Sequence, residues 1–409
     1  VTSFGGPAGQ IALMHKILVD EKKWIDERTY LLALNFCTLL PGPEAMQLAT
    51  YAGWRLHGIN GGLAAGLLFV LPGACLILAL SMLYAAFGSV PLVTALFTGI
   101  KAAVLAIVVE ALLRISKKSL KDSTEIALAA LSFAAIFFLH VPFPVIVLTA
   151  GVFGYWRGLG APTDVPADSV LPVPHRQTLA TIFLWLAIWI VPLLGVAFVF
   201  GADSVLAKLA WFFSKLAVVT FGGAYAVLAY MTQDAVQIHG WLKPGEMLDG
   251  LGLAETTPGP LILVTEFVGY LAAYRNGGGA PVAMGIAGAA VTLWATFAPS
   301  FLFIFAGAPY IERMKSAPRL KSALSAITAA VVGVILNLSL WFALHVIFRR
   351  VADVKAGPLT FAWPDTGSLD WIAAGLAVMA AVLLFRFHAG VMTVLGVCGA
   401  LAVVASRML

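Results

Sequence analysis

Lys101 stands in the middle of PLVTALFTGIKAAVLAIVVEALLR, residues 91–114. A charge at the centre of so long an apolar run is costly to bury, and such residues are usually functional. It can supply fixed positive charge to a dianion. It can also form a purely structural pair with Glu44 or Glu110. A second pattern carries chemistry in the backbone. LLPGPEAMQL at 39–48 and TTPGPLILVT at 256–265 each set Pro-Gly-Pro inside strongly apolar sequence. Proline interrupts a helix and glycine lets the chain turn. Each break therefore closes one short helix and opens another. A helix N-terminus offers unpaired N–H groups and partial positive charge, which suit an anion. Gly42 and Gly259 are the centres of the two breaks. Phe-Gly-Gly at 4–6 and 221–223 has the same potential through Gly5, Gly6, Gly222 and Gly223. Glu44, directly after Pro43, can cap its half-helix or carry a proton. Glu255, Thr256 and Thr257 offer a carboxylate and two hydroxyls beside the second break. Together these residues are the candidate substrate-binding set. The competing reading is that the glycines only permit close helix packing and the prolines only kink.

Other chemistries are poorly supplied. Cys37, Cys75 and Cys398 stand alone in apolar segments, and the histidines show no ligand spacing. The sequence holds no phosphate-binding loop, no Gly-x-Ser-x-Gly and no paired catalytic carboxylates. No metal, cofactor or ATP-driven activity is expected, and the chain does not read as an enzyme. A membrane-embedded lipid enzyme would want a histidine or carboxylate cluster at one interface, and none is visible. Hydrophobic residues make up 61% of the chain, and charged residues number 45 (25 basic plus 20 acidic) of 409. Soluble globules are nearer 45–50% apolar and about 25% charged. The solvent is therefore the lipid bilayer, and the net charge of +5 reads as loop charge that orients helices, not as a nucleic-acid surface.

These residues are positioned by a duplicated frame. Shifted by 217, Phe4-Gly5-Gly6 falls on Phe221-Gly222-Gly223, Met14 on Met231, Trp24 on Trp241, and Pro41-Gly42-Pro43 on Pro258-Gly259-Pro260. Further on, a shift of 227 places Pro72 on Pro299, Pro91 on Pro318 and IKAAV (100–104) on ITAAV (327–331). AKLAWFFSKLAVV (207–219) precedes the second copy, and the register expects a matching helix before residue 1 in the first.

Crossing the hydrocarbon takes about 20 helical residues. Candidate spans are 61–87, 91–113, 125–140 and 142–158, then 280–308, 318–345, 370–386 and 388–406, with an unpaired span at 177–201. Segments 30–40 and 44–56 are too short to cross alone. The loops with Lys16, Lys22, Lys23 and Arg28, and with Arg114, Lys117, Lys118 and Lys121, should both be cytoplasmic. Two full spans separate them, so 30–56 must enter and leave on one side, as a re-entrant hairpin. In the second half the basic cluster Arg313, Lys315, Arg319 and Lys321 lies before the helix at 318, where the first half has its cluster after the equivalent helix. The charge asymmetry is reversed, so the halves should be inverted. Arg349, Arg350 and Lys355 would then be a minority violation. The expected fold is an all-α polytopic membrane protein: two inverted-topology repeats with broken or re-entrant helices, joined by an extra transmembrane helix. Residues 1–158 form the first repeat, 159–202 the linker and extra helix, and 203–409 the second repeat. Inverted repeats with broken helices are the pattern of secondary transporters, whose site lies near the midplane. The residues alone reach an anion transporter of this kind, with a passive anion channel as a rival.

FGGPAGQIALMH (4–15), LLPGPEAMQLATYAGWRLHG (39–58), FVLPG (69–73), TFGGAYAVLAYM (220–231) and GLAETTPGPLILVTEFVGY (252–270) resemble the chromate ion transporter family in its long two-repeat form. The resemblance covers nearly the whole chain. It implies a multi-pass carrier of the bacterial inner membrane that exports chromate. Sulfate, a tetrahedral dianion of the same shape, is the implied competitor or exchange partner, and a second copy of the chain is admitted as a homodimer partner.

Overall fold

The computed structural model describes residues 6–160, 175–221, 223–311, 318–357 and 359–408. Phe4, Gly5, Gly222, Arg313 and Lys315 lie outside the described residues. The helices follow the register of the duplication. Helix α1 (Gly6–His15) passes into a π-helical turn at Lys16–Glu21, then α2 (Glu27–Leu39) and α3 (Glu44–Phe87). In the other half, α9 (Ala224–Thr232) passes into a π-helical turn at Gln233–Ile238, then α10 (Pro244–Thr256) and α11 (Val264–Asn276). Adding 217 to the bounds of the first π turn and of α2 gives those of the second π turn and of α10. The duplication therefore preserves an unusual local conformation, a π bulge, as well as the breaks.

Further elements are α4 (Pro91–Ser119), α5 (Ser123–Leu139), α6 (Phe143–Arg157), α7 (His175–Phe200), α8 (Val205–Val219), α12 (Pro281–Gly307) and α13 (Pro318–Ile347). The chain closes with α14 (Trp371–Phe385) and α15 (Val391–Met408). Among the described residues, five helices are long and apolar enough to cross a membrane: α3, α4, α7, α12 extended to Tyr310, and α13. Helices α2, α10 and α11 have 13 residues each, about 20 Å at the helical rise, and fall short of a span. The α3 segment also contains a break, with His57 at φ −137° and Gly58 at φ +64°, so 44–56 is a further half-helix.

One element departs from the all-α expectation. Strands β1 (Val351–Ala356) and β2 (Leu359–Pro364) pair antiparallel from Val351 opposite Pro364 to Ala356 opposite Leu359. The physical reason is readable in hindsight. LTFAWP is rich in β-formers, and Gly357 takes φ +65° at the turn. Phe361 anchors the hairpin on α5, 6.0 Å from Phe138 between ring centroids. The hairpin also explains a change of register. Helices α14 and α15 lie 248 residues after α5 and α6 (371 − 123 and 391 − 143), which is 21 more than the shift of 227. Beside the hairpin, Arg349 pairs with Asp370 at 3.0 Å and Arg350 with Asp365 at 3.6 Å.

The chain forms two compact units, and each draws on both sequence halves. One comprises Val1–Ser81, Val152–Val227 and Thr257–Leu324. Its interior is built on α12, which packs against α7, α8 and α11. Small residues let α11 and α12 meet closely: a side chain on Gly269 would stand 2.8 Å from the Gly288 carbonyl oxygen. Trp185 of α7 stacks on Phe301 of α12 at 5.6 Å. The other unit comprises Met82–Gly151, Leu228–Thr256 and Ser325–Leu409. It is built on α4, which packs against α10, α14 and α15, with Ala102, Ala103, Val104 and Val108 wholly buried.

Candidate functional site

Within the first unit, both Pro-Gly-Pro breaks come to one place. Gly42 has φ +108° and Gly259 φ +127°, backbone that L side chains rarely adopt, so each break needs its glycine. Downstream of each, a helix starts: α3 at Glu44, and a 3₁₀ turn at Leu261–Leu263 leading into α11. Gly223, at φ +90°, opens α9. Residues of these three starts line one cavity of about 40 Å³: Pro43, Glu44 and Ala45; Gly223 and Ala224; Pro260, Leu261 and Ile262; with Gly42 and Gln10 completing it. The first N–H groups of a helix have no intrahelical acceptor. Three helix starts, each with the partial positive charge of an N-terminus, border this cavity. Among the described lining residues, the ionisable side chain is Glu44, half-buried, with Oε1 3.6 Å from where a Cβ on Gly223 would stand. That carboxylate oxygen therefore lies beside Gly223 of the other half.

The contacts that hold the breaks are crossed between the sequence halves. Gln10, in α1, donates from Nε2 to the Gly259 carbonyl at 2.5 Å. The Gly42 N–H donates to the Thr220 carbonyl, just before the second Phe-Gly-Gly, at 3.3 Å. Gly42 lies against Ser300, next to Pro299 of α12; a Cβ there would be 3.1 Å from the serine Oγ. Gly259 lies against Gly73, next to Pro72 of α3, its Cα 3.4 Å from a Cβ built on Gly73. Gly73 and Ser300 are equivalent in the 227 register. Each break thus leans on the proline-bearing helix of the other half. Gln47 fixes the first break from within, its Nε2 donating to the Pro41 carbonyl at 2.7 Å.

The remaining candidates are distributed differently. Gly6 is the first residue of α1. Gly5 and Gly222 lie outside the described residues. Thr257 is buried in the first unit. Glu255 and Thr256 end α10 in the second unit, where Glu255 is buried and the Thr256 hydroxyl donates to the Leu253 carbonyl at 2.8 Å. Lys101 also belongs to the second unit. Its partner is Asp249, with Nζ 3.6 Å from Oδ1, where the sequence suggested Glu44 or Glu110. Tyr84 donates to the other Asp249 oxygen at 2.8 Å. Sequence reasoning missed Gln10, Gln47, Tyr84 and Asp249. The signal available was a lone polar residue on a strongly apolar face, as Asp249 is in MLDGLGLA. Glu266, in the first turn of α11, is 1% exposed, and its Oε2 has no partner among the described residues.

The family model for chromate transporters matches residues 1–155 and 207–404. The chain belongs to the chromate transporter family. A chromate transport protein of Pseudomonas aeruginosa is 35% identical over 371 residues, 88% of this chain and 82% of that one. One of Cupriavidus metallidurans is 30% identical, over 81% of this chain and 77% of its own length. An uncharacterised transporter of Methanocaldococcus jannaschii is 27% identical, over 85% and 82% respectively. No solved structure matches the chain. With its apolar helices and two matched regions, this family member is a two-repeat, multi-pass membrane protein.

Proposed function

We propose that this chromate transporter homologue is a secondary carrier that exports chromate across a bacterial inner membrane, with sulfate competing for the same site. The observation that supports this is the convergence of three helix N-termini, built from both Pro-Gly-Pro breaks and the second Phe-Gly-Gly, on one cavity. Backbone N–H groups recognise charge and oxygen geometry, not the central element. Chromate and sulfate, both tetrahedral dianions, then present the same face to the site. The halves are proposed to run in opposite senses, as their reversed basic clusters suggest, with residues 1–158 and 203–409 as repeats and 159–202 between them. Lys101 is proposed to contribute positive charge to anion movement from the second unit.

The test is chromate flux into vesicles containing the full chain. Chromate should accumulate against its gradient when an energy source is imposed, and added sulfate should slow it. Flux that only equalises concentrations would identify a channel. No chromate flux from correctly inserted protein would overturn the substrate. Flux indifferent to sulfate would overturn a site that reads shape and charge alone.

A further inference from the structure

Three polar side chains meet inside the second unit, in otherwise apolar packing. Asp249 faces Lys101 Nζ at 3.6 Å and accepts from the Tyr84 hydroxyl at 2.8 Å. Its side chain is 6% exposed, that of Lys101 24%. Among the described residues, Asp249 Oδ1 has no hydrogen-bond partner apart from its ion pair with Lys101. The groups facing Asp249 are few. Helix α4 supplies Lys101, the end of α3 supplies Tyr84, and α10 itself carries Glu246, whose Oε2 is engaged by the Lys243 N–H at 2.8 Å. Helix α15, also packed on α10, offers Cys398, whose thiol lies 3.9 Å from the Leu376 carbonyl.

The duplicated frame does not require these charges. At the equivalent positions the other half has Leu32 for Asp249 (shift 217), Thr328 for Lys101 and Ile311 for Tyr84 (shift 227). Each polar residue stands in one copy only: Tyr84 and Lys101 in the first half, Asp249 in the second. Water can also come near. A cavity of about 620 Å³ in the same unit reaches Pro244, the first residue of α10. The next residue, Gly245, has Lys101 Nζ 3.4 Å from its Cβ position. The cavity wall includes Thr232 and Gln233, whose buried side-chain oxygens have no partner among the described residues, groups that a solvated cavity satisfies.

We propose that Asp249 binds the proton that moves together with the anion. This rests on the carrier reading above. With Asp249 ionised, Lys101 is neutralised and the pair has no net attraction for an anion. A proton taken from water onto an Asp249 oxygen removes that charge. Lys101 is then an uncompensated cation in a low-dielectric setting, which favours an arriving anion. Proton and anion are therefore bound together. Tyr84 is a positioning residue that holds the carboxylate toward the lysine.

The experiment uses proteoliposomes of the full chain with a pH dye inside and the potential clamped. Sulfate is the probe anion because it carries no proton near neutrality; chromate at alkaline pH replaces it if sulfate does not move. An inward anion gradient should acidify the lumen. Asp249→Asn keeps the shape and frees Lys101, so anion exchange should persist, lose its pH dependence and no longer acidify the lumen. Tyr84→Phe should keep acidification and shift the pH profile of exchange. Anion movement by the unaltered chain without acidification overturns the proposal and leaves the carrier reading intact. So does loss of exchange at every pH in folded Asp249→Asn protein, or loss of acidification in Glu266→Gln and not in Asp249→Asn. Failure of the unaltered chain to move either anion overturns the carrier reading and this inference with it.

Discussion

Replacing Gly73 by alanine would put a methyl carbon 2.5 Å from the Pro258 carbonyl oxygen and 2.6 Å from Leu263 Cδ1. Ordinary contact begins near 3.4 Å, so about 0.9 Å must be found on the Pro258 side (3.4 − 2.5). The two neighbours differ in how they can yield. Leu263 Cδ1 is the free end of a side chain and can rotate. Pro258 is backbone at the second break, so relieving it means moving Pro258 and Gly259 themselves. Overpacking of this kind costs about 1–3 kcal/mol of stability. Transport should suffer more than stability, because a displacement of about 1 Å in a positioned site can cost on the order of 100-fold in rate. Gly73 does not line the cavity, so the substitution tests positioning and not ligation.

The assay pairs chromate flux with thermal unfolding of the purified protein. Gly73→Ala should lose flux by one to two orders of magnitude, on the order expected for such a displacement, while its melting temperature falls by a few degrees. Gly195→Ala on α7 is the control. Nothing lies within 4 Å of its Cβ position, and alanine is the better helix former by up to about 1 kcal/mol. It should retain flux and melt no lower. Flux at the parent level in Gly73→Ala would refute the claim that the second break must be held in place by α3.

Two more outcomes follow from the charges. Lys101→Thr should destabilise the protein by about 3–5 kcal/mol, because it leaves Asp249 buried and unpaired. Adding Asp249→Leu, so that each position matches its counterpart in the other copy, should recover most of that loss in the same melting assay; a Lys101→Thr protein as stable as its parent would remove the pair from any structural account. In a background without Cys37, Cys75 and Cys398, cysteines at Lys118 and Ser316 (the latter outside the described residues) should both resist an impermeant thiol reagent applied outside, while one at Ser89 reacts. Labelling of 118 and 316 from opposite faces would end the inverted-repeat proposal.

The frame was legible because duplication preserves what cannot be substituted. Pro41-Gly42-Pro43 and Pro258-Gly259-Pro260 mark helix ends in both halves, and helix bounds follow the 217 register into α2 and α10. Five of the nine expected spans were legible from apolar length, while those at 125–140, 142–158, 370–386 and 388–406 form shorter apolar helices. The hairpin at 351–364 was hidden by its place among helices, although its β-formers were in view. The site was half legible. Backbone elements showed themselves through proline and glycine, whose conformational limits act locally. Gln10 and Asp249 did not, because their roles depend on partners 249 residues away in one case and on another helix in the other. No local rule links Gln10 to Gly259.

The crossed contacts explain why the breaks are duplicated at all. Had each break been held by its own half, one copy could drift without consequence for the other. Instead Gly42 is set by Thr220 and Ser300, and Gly259 by Gln10 and Gly73. Gln47 helps hold the first break from its own half, but both breaks also lean on contacts from the other half. The cavity exists only where the two sets of helix starts meet, and Glu44 reaches it from the first half while Gly223 receives it from the second. Backbone geometry is shared between the copies, so symmetric positions are free to carry charge on one side only. Glu44 corresponds to Leu261, Asp249 to Leu32 and Lys101 to Thr328. If the duplicated scaffold holds its anion by N–H groups, as proposed, it needs no side-chain charge to do so. Charges without a counterpart in the other copy, such as the Lys101–Asp249 pair, are the ones proposed above to move a proton with the anion.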